Sequence, residues 1–163
     1  MKVLLICISL ILLSALLFAD TMPDFRLPDA TGKNVSLESL LNKGPILIDF
    51  WADYCNPCKI AMPYLNDLAN KYDSLTVVLI AIDSPKNQMK AKNYLKGKNY
   101  KFVTLFDSEK TLAKKLNVVN PPHSFILDRN GEISYTHVGF EPGTEATYEQ
   151  HIRSLMGLET EAE

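Results

Sequence analysis

The chain has 163 residues, 17 basic and 19 acidic side chains, a net charge of −2 and 47% hydrophobic residues. That balance offers no basic field for nucleic acid, and the length supports one ordinary domain with a sizeable core. Three cysteines are too few for a secreted disulfide scaffold, and no internal repeat, low-complexity tract or linker divides the chain.

Residues 1–19 read as a signal peptide or an N-terminal membrane anchor. Lys2 supplies a positive start, residues 3–18 are almost wholly apolar, and Ala19 before Asp20 is a plausible cleavage point. Leu17 is larger than the small residue preferred three positions before such a cut, which keeps the uncleaved anchor as the alternative, although the run is short for a membrane span. Cys7 lies inside this run as a small apolar residue. Residues 20–163 then form a single domain with an acidic tail, 158–163, and its only cysteines are Cys55 and Cys58. A single close pair in an oxidising compartment points to a catalytic dithiol.

Residues 25–37 predict a hairpin: Phe25 and Leu27 alternate on one strand, Thr31 and Gly32 turn, and Val35 and Leu37 return. A short helix through 39–41 is expected to end near Gly44. Residues 45–51 are apolar on both faces, as a buried central strand requires, with Asp49 unexplained in the middle. After Cys58, the positions Ala61, Leu65, Leu68, Ala69 and Tyr72 recur at helical spacing, and Pro63 inside that helix predicts a kink. Residues 76–82 form a second apolar strand. Ser84-Pro85 predicts an N-cap and first-turn proline for a helix carrying Ala91, Tyr94 and Leu95 inward. A strand over 102–106 precedes a helix capped by Ser108, with Leu112, Ala113 and Leu116 inward. Strands over 122–127 and 133–138 join at Asn130-Gly131, a hairpin signal, and a last helix opens near Thr144 with Tyr148, Ile152, Leu155 and Met156 on its apolar side. The order implies a mixed sheet with parallel crossovers first and an antiparallel hairpin last, covered by helices on both faces.

The chemistry is concentrated where the first buried strand meets the first long helix. A helix N-terminus presents unpaired N–H groups and the positive end of the macrodipole, so it favours the thiolate form of Cys55. Cys58 lies three residues on, on the same face of the first turn, and can resolve a mixed disulfide formed at Cys55. A zinc site would need a second close pair of ligands; His123, His137 and His151 are widely spaced along the chain, so no metal site is expected.

These residues resemble a family. The stretch Trp51-Ala-Asp-Tyr-Cys55-Asn-Pro-Cys58-Lys, the proline at 63, and Pro122-His-Ser-Phe-Ile-Leu-Asp128 are similar to the motifs of thioredoxins. The added hairpin, the strand and helix inserted between 84 and 106, and the exported start make the chain most similar to the TlpA/ResA-like members. The resemblance implies a three-layer α/β sandwich and a protein thiol-disulfide oxidoreductase with Cys55 as nucleophile and Cys58 as resolving thiol. It implies a cis-proline, favoured at Pro122, opposite the dithiol, and a substrate groove framed by Trp51, Tyr54, Pro57, Pro121 and Pro122. Asp49 matches the family's buried aspartate and is expected to take the Cys58 proton, its burial raising its pKa. The bland reading of Asp49 is a carboxylate in solvent at a sheet edge. His123 lies either near the dithiol or simply in the packing, and Trp51 either shields the cysteines or belongs to the core.

Two positions depart from the family. The acidic residue found three after the second cysteine in ResA-like members is Ala61 here, and proline at 121 removes a backbone N–H that would otherwise meet an extended substrate. The expected cofactor is none beyond the Cys55–Cys58 disulfide. Expected partners are disulfide-containing exported proteins, apocytochrome c among them, and an upstream membrane dithiol donor; nucleic acid is not expected, nor a membrane unless residues 1–19 stay uncleaved. Reduction is the expected direction, in the periplasm or cell envelope of a bacterium, by a monomer. The rival readings are a copper-delivery module of related fold, which calls for wider cysteine spacing and a downstream histidine ligand, and a peroxiredoxin-like antioxidant, which calls for a Pro and a Thr or Ser shortly before the cysteine.

Overall fold

The computed structural model describes residues 20–158; the expectations for 1–19 and for 159–163 lie outside them. Two short strands come first, β1 (Arg26–Pro28) and β2 (Asn34–Ser36), paired antiparallel as the predicted hairpin. Asp29 organises its turn, accepting from the backbone and hydroxyl of Thr31 and the backbone of Lys33, and bridges to Leu105, which ties the hairpin to the main sheet.

The expected helix through 39–41 is instead a run of turns. Leu40 N–H reaches only to Leu37 O, and Asn42 takes a left-handed φ of 66°, which ends any helical progression. Gly44 follows with φ 147° and passes so close to Ser74 that a Cβ would lie 2.2 Å from its carbonyl oxygen. Only glycine fits there.

Strand β3 (Ile46–Trp51) is buried at every position and forms the centre of a five-stranded sheet. It pairs in parallel with β4 (Thr76–Ala81), which pairs in parallel with β5 (Val103–Phe106). On its other side β3 meets β6 (His123–Leu127) antiparallel, and β6 meets β7 (Ile133–Val138) antiparallel, giving the order β5-β4-β3-β6-β7. A strand with neighbours on both sides and helices over its faces has no contact with water, so only its near-continuous apolar run is compatible with the position.

Among the described residues four helices flank the sheet: α1 (Asn56–Lys71), α2 (Gln88–Leu95), α3 (Thr111–Lys115) and α4 (Thr144–Leu155). Helix α1 continues through Pro63 and buries Cys58, Ala61, Met62, Leu65, Leu68 and Ala69. It is joined to α4 where Glu149 accepts from Lys71 Nζ and from the Tyr72 hydroxyl. Helix α2 starts later than Ser84-Pro85 suggested: Ser84 contributes its carbonyl to two turns, from Asn87 and Gln88, and the side chain of the N-cap residue, Asn87, makes no capping hydrogen bond. Helix α3 is capped by Asp107 rather than Ser108, whose hydroxyl is buried without a hydrogen-bond partner among the described residues. The carboxylate has two oxygens for two orphan N–H groups, those of Thr111 and Ala113, where a serine hydroxyl has one oxygen. The architecture is the expected thioredoxin-like sandwich with an N-terminal hairpin and an inserted helix and strand, α2 and β5. Among the described residues no helix is long and apolar enough to cross a membrane.

Candidate active site

Strand β3 ends at Trp51, and its buried run fixes where the following residues must emerge. Asp53 N–H then donates to both carboxyl oxygens of Asp83, at 3.2 and 3.0 Å, pinning the loop to the end of β4. Burial pushes the Asp83 carboxyl up from the ordinary carboxylate range. Asp53 also pairs with Lys59 Nζ at 3.2 Å, and that ammonium lies 4.5 Å over the Tyr94 ring. The loop is thereby clamped from both sides before the first cysteine.

Cys55 is the N-cap of α1. Its backbone is extended, at φ −89° and ψ 99°, and its sulfur accepts the Cys58 N–H at 3.2 Å, satisfying one of the orphan donors of the first turn. Asn56 and Pro57 follow as the first helical residues, where proline's fixed φ and missing N–H are tolerated. Cys55 and Cys58 are joined in a disulfide with Cα atoms 5.3 Å apart. Cys55 is 5% exposed and Cys58 fully buried, so a partner can reach only the first sulfur. That asymmetry gives the two cysteines different roles.

Pro57 shares a groove of about 410 Å³ with Pro121, Pro122, His137, Val138 and Phe140. The Pro121–Pro122 bond is cis, and Pro122 O is held by Gly139 N–H at 2.8 Å, so the proline turn is fixed to the segment that follows β7. Tyr54, 66% exposed, projects beside the first cysteine. Neither cysteine lines this groove, and its link to the dithiol is Pro57, between them in sequence; a larger hollow of about 520 Å³, between the hairpin and α3, has none of Cys55 to Cys58 in its lining.

Trp51 departs from its expected place on the groove. It is fully buried against Tyr94, with ring centroids 5.8 Å apart, so it supports the loop from beneath and has no surface to offer a substrate. His123 is buried and stacked on Phe125 at 4.6 Å. Burial holds its imidazole below the usual histidine range, with the charge of His137 adding to the effect, which favours the neutral ring.

Asp49 sits in the middle of the sheet, not at an edge: it pairs with Leu79 of β4 on one side and Ser124 of β6 on the other, and is 1% exposed. Its Oδ1 accepts from the Ser124 hydroxyl at 2.7 Å, while Oδ2 is buried with no hydrogen-bond partner among the described residues. Burial pushes this carboxyl up to about 7, against the Ser124 hydrogen bond that favours the anion. A carboxyl group poised near neutrality can accept and return a proton at physiological pH.

Three participants were not legible as site residues. Asp83 was visible only as a lone acid after an apolar strand. Ser124 lies in a strand that otherwise reads as core, and Tyr148 looks like one more member of an apolar helix stripe, yet Tyr148 donates to Ser124 Oγ at 2.9 Å. A polar residue in a fully buried strand was the available signal for Ser124; its register against Asp49 was not.

The chain matches the family model described as Redoxin over residues 18–152. It is 30% identical over 133 residues to the thiol-disulfide oxidoreductase ResA of Bacillus thuringiensis subsp. konkukian, covering 82% of this chain and 75% of that protein. It is 34% identical over 130 residues to the thiol:disulfide interchange protein DsbE of Vibrio cholerae, covering 78% and 68%. Among solved structures it resembles a Chlorobium tepidum protein provisionally described as DsbE, with a TM-score of 0.78 at 33% identity over 85% of this chain and 97% of that one.

Proposed function

The chain belongs to the Redoxin family and is a thiol-disulfide oxidoreductase of the ResA-like kind, and from that premise we propose that it is an exported reductant of disulfides in proteins of the bacterial cell envelope. The observation that carries the reading is the asymmetry of the dithiol: one sulfur at a helix cap beside an open groove, the other buried behind it.

In the reduced protein, the Cys55 thiolate is stabilised by the Cys58 N–H and the α1 terminus. It attacks one sulfur of a substrate disulfide; the bond between Cys55 and that sulfur forms as the substrate bond breaks. Asp49 takes the proton of Cys58 through a bridging water, and the Cys58 thiolate then attacks Cys55, closing the internal disulfide and releasing the reduced substrate. An external membrane dithiol donor returns two electrons to the pair, which is itself the redox centre. Exported proteins that must present free thiols, apocytochrome c included, are the proposed substrates. Export is supported by the apolar run behind Lys2, and the reducing direction by the family resemblance.

The direction is tested by equilibrating the Cys55/Cys58 pair against a glutathione series. A potential near that of thioredoxin, about −270 mV, is the expected result; one near that of the oxidant DsbA, about −120 mV, would make the protein a donor of disulfides.

A further inference from the structure

Asp49, Ser124 and His137 form a row across three adjacent strands, because Asp49 pairs with Ser124 and Ser124 pairs with His137. Residues paired in register project from the same face of a sheet. Tyr148 of α4 meets the row on that face and donates to Ser124 Oγ. A serine hydroxyl has one proton to give, and this one goes to Asp49 Oδ1. The order of donation is therefore fixed: Tyr148 to Ser124 to Asp49.

We propose that Ser124 and Tyr148 are positioning residues of the exchange reaction: the Tyr148 hydroxyl holds that of Ser124, which occupies Oδ1 and leaves Oδ2 as the one oxygen through which Asp49 takes and returns the Cys58 proton. The inference rests on the role given to Asp49 above. In the mixed disulfide, the Cys58 S–H bond breaks and its proton passes to Oδ2. The sulfur's electron pair forms the bond to Cys55, the bond from Cys55 to substrate breaks, and the substrate leaves as a thiolate. Asp49 is then neutral with Oδ1 still accepting from Ser124, so the hydrogen-bond line need not rearrange. The proton leaves Oδ2 again when an external dithiol reopens the disulfide and Cys58 is regenerated as a thiol.

Two features make the line more than packing. Tyr148 is fully buried, and burial raises its phenol well above the ordinary tyrosine range, so it stays a donor. The surroundings of Asp49 also carry little competing charge. Leu79 pairs with it from β4, and the buried residues of α1 are Cys58 and apolar side chains, none of them charged; beyond Tyr148 lie His137 and Tyr135 of β7, with ring centroids 5.9 and 6.2 Å from it. His123 belongs to the neighbouring position of β6, paired with Phe50 rather than Asp49. The Ser124 hydroxyl is thus the principal group favouring the Asp49 anion.

The test is the pH dependence of the single-turnover rate at which the reduced protein consumes glutathione disulfide, together with a ¹³C NMR titration of the Asp49 carboxyl. Parent, Ser124→Ala, Ser124→Thr, Tyr148→Phe and Asp49→Asn are compared. Hydrogen bonds to charged groups are strong enough that Ser124→Ala should move the rising limb and the titration together toward alkaline pH by about one to two pH units. Tyr148→Phe should move both less, in the same direction, and Ser124→Thr should restore them. If Asp49→Asn removes the limb while Ser124→Ala and Tyr148→Phe leave it and the titration in place, the positioning roles are overturned and the Asp49 role stands. If Asp49→Asn leaves the limb unchanged, the Asp49 role fails and this inference falls with it.

Discussion

Helices α1 and α3 both begin beneath a side chain that accepts hydrogen bonds from the first turn, and the two caps differ in chemistry. At α3, Asp107 accepts from the backbone N–H groups of Thr111 and Ala113, each at 2.8 Å, with the two oxygens of a carboxyl group that forms no covalent bond. At α1, Cys55 accepts from Cys58 N–H with a sulfur that is covalently bonded to Cys58, and that the proposed mechanism uses as a thiolate once the bond is reduced. The same electrostatics of a helix terminus serves architecture in one place and reactivity in the other. The difference lies in whether the cap atom can form and break a covalent bond. A second contrast runs parallel: both oxygens of Asp107 are occupied, whereas Asp49 keeps one oxygen without a partner among the described residues. A buried acid with both oxygens engaged is held in place; one with an unengaged oxygen has a site at which to accept a proton.

Exchanging the fates of the two caps gives the largest effects. Cys55→Ser should reduce disulfide exchange to the uncatalysed background in an insulin-reduction assay. Asp107→Ala should leave the exchange rate per folded molecule unchanged and lower stability by about 1 to 2 kcal/mol in a denaturant titration, as loss of an N-cap does. Asp49→Asn should slow resolution of the mixed disulfide at pH 7 by about a hundredfold, the range of general-base contributions, measured by rapid quench.

The same aspartate makes a thermodynamic prediction. Its folded pKa of about 7 lies above the ordinary aspartate value of 3.8, so between these limits the native state holds a proton that the unfolded chain has lost. Stability from this group is fully present below about pH 4 and declines as pH rises through 7, a loss on the order of 4 kcal/mol. Asp49→Asn should remove that slope, gaining on the parent protein between pH 4 and pH 8 in chemical denaturation. Parallel curves would separate Asp49 from the proton balance.

The strands were legible because burial on both faces demands apolar runs, and the active-site turn because Cys-x-x-Cys after such a strand has few other physical uses. Helix starts were less legible. Ser84-Pro85 and Ser108 are both good capping signals locally, yet at one the backbone carbonyl closes turns instead, and at the other the neighbouring Asp107 offers two acceptors where serine has one. The polar row at Asp49 was hidden because cross-strand register and the rotation of α4 decide it. Trp51 was placed on the groove by motif, but strand alternation and the loop clamp turn it beneath Tyr94.

The smallest effect concerns the groove. Pro121 lines it and has no N–H to donate to an extended substrate, so Pro121→Thr should tighten substrate trapping by roughly two- to tenfold, the value of one neutral hydrogen bond. Unchanged or weaker trapping would show that substrates do not engage the backbone there.

The most direct measurement is peptide mapping of the covalent species formed when reduced Cys58→Ser protein meets a disulfide substrate. The expected product is a mixed disulfide through Cys55 that persists because no buried thiol can resolve it. Substrate reduction that survives in Cys55→Ser, or an adduct attached anywhere other than Cys55, would contradict the account.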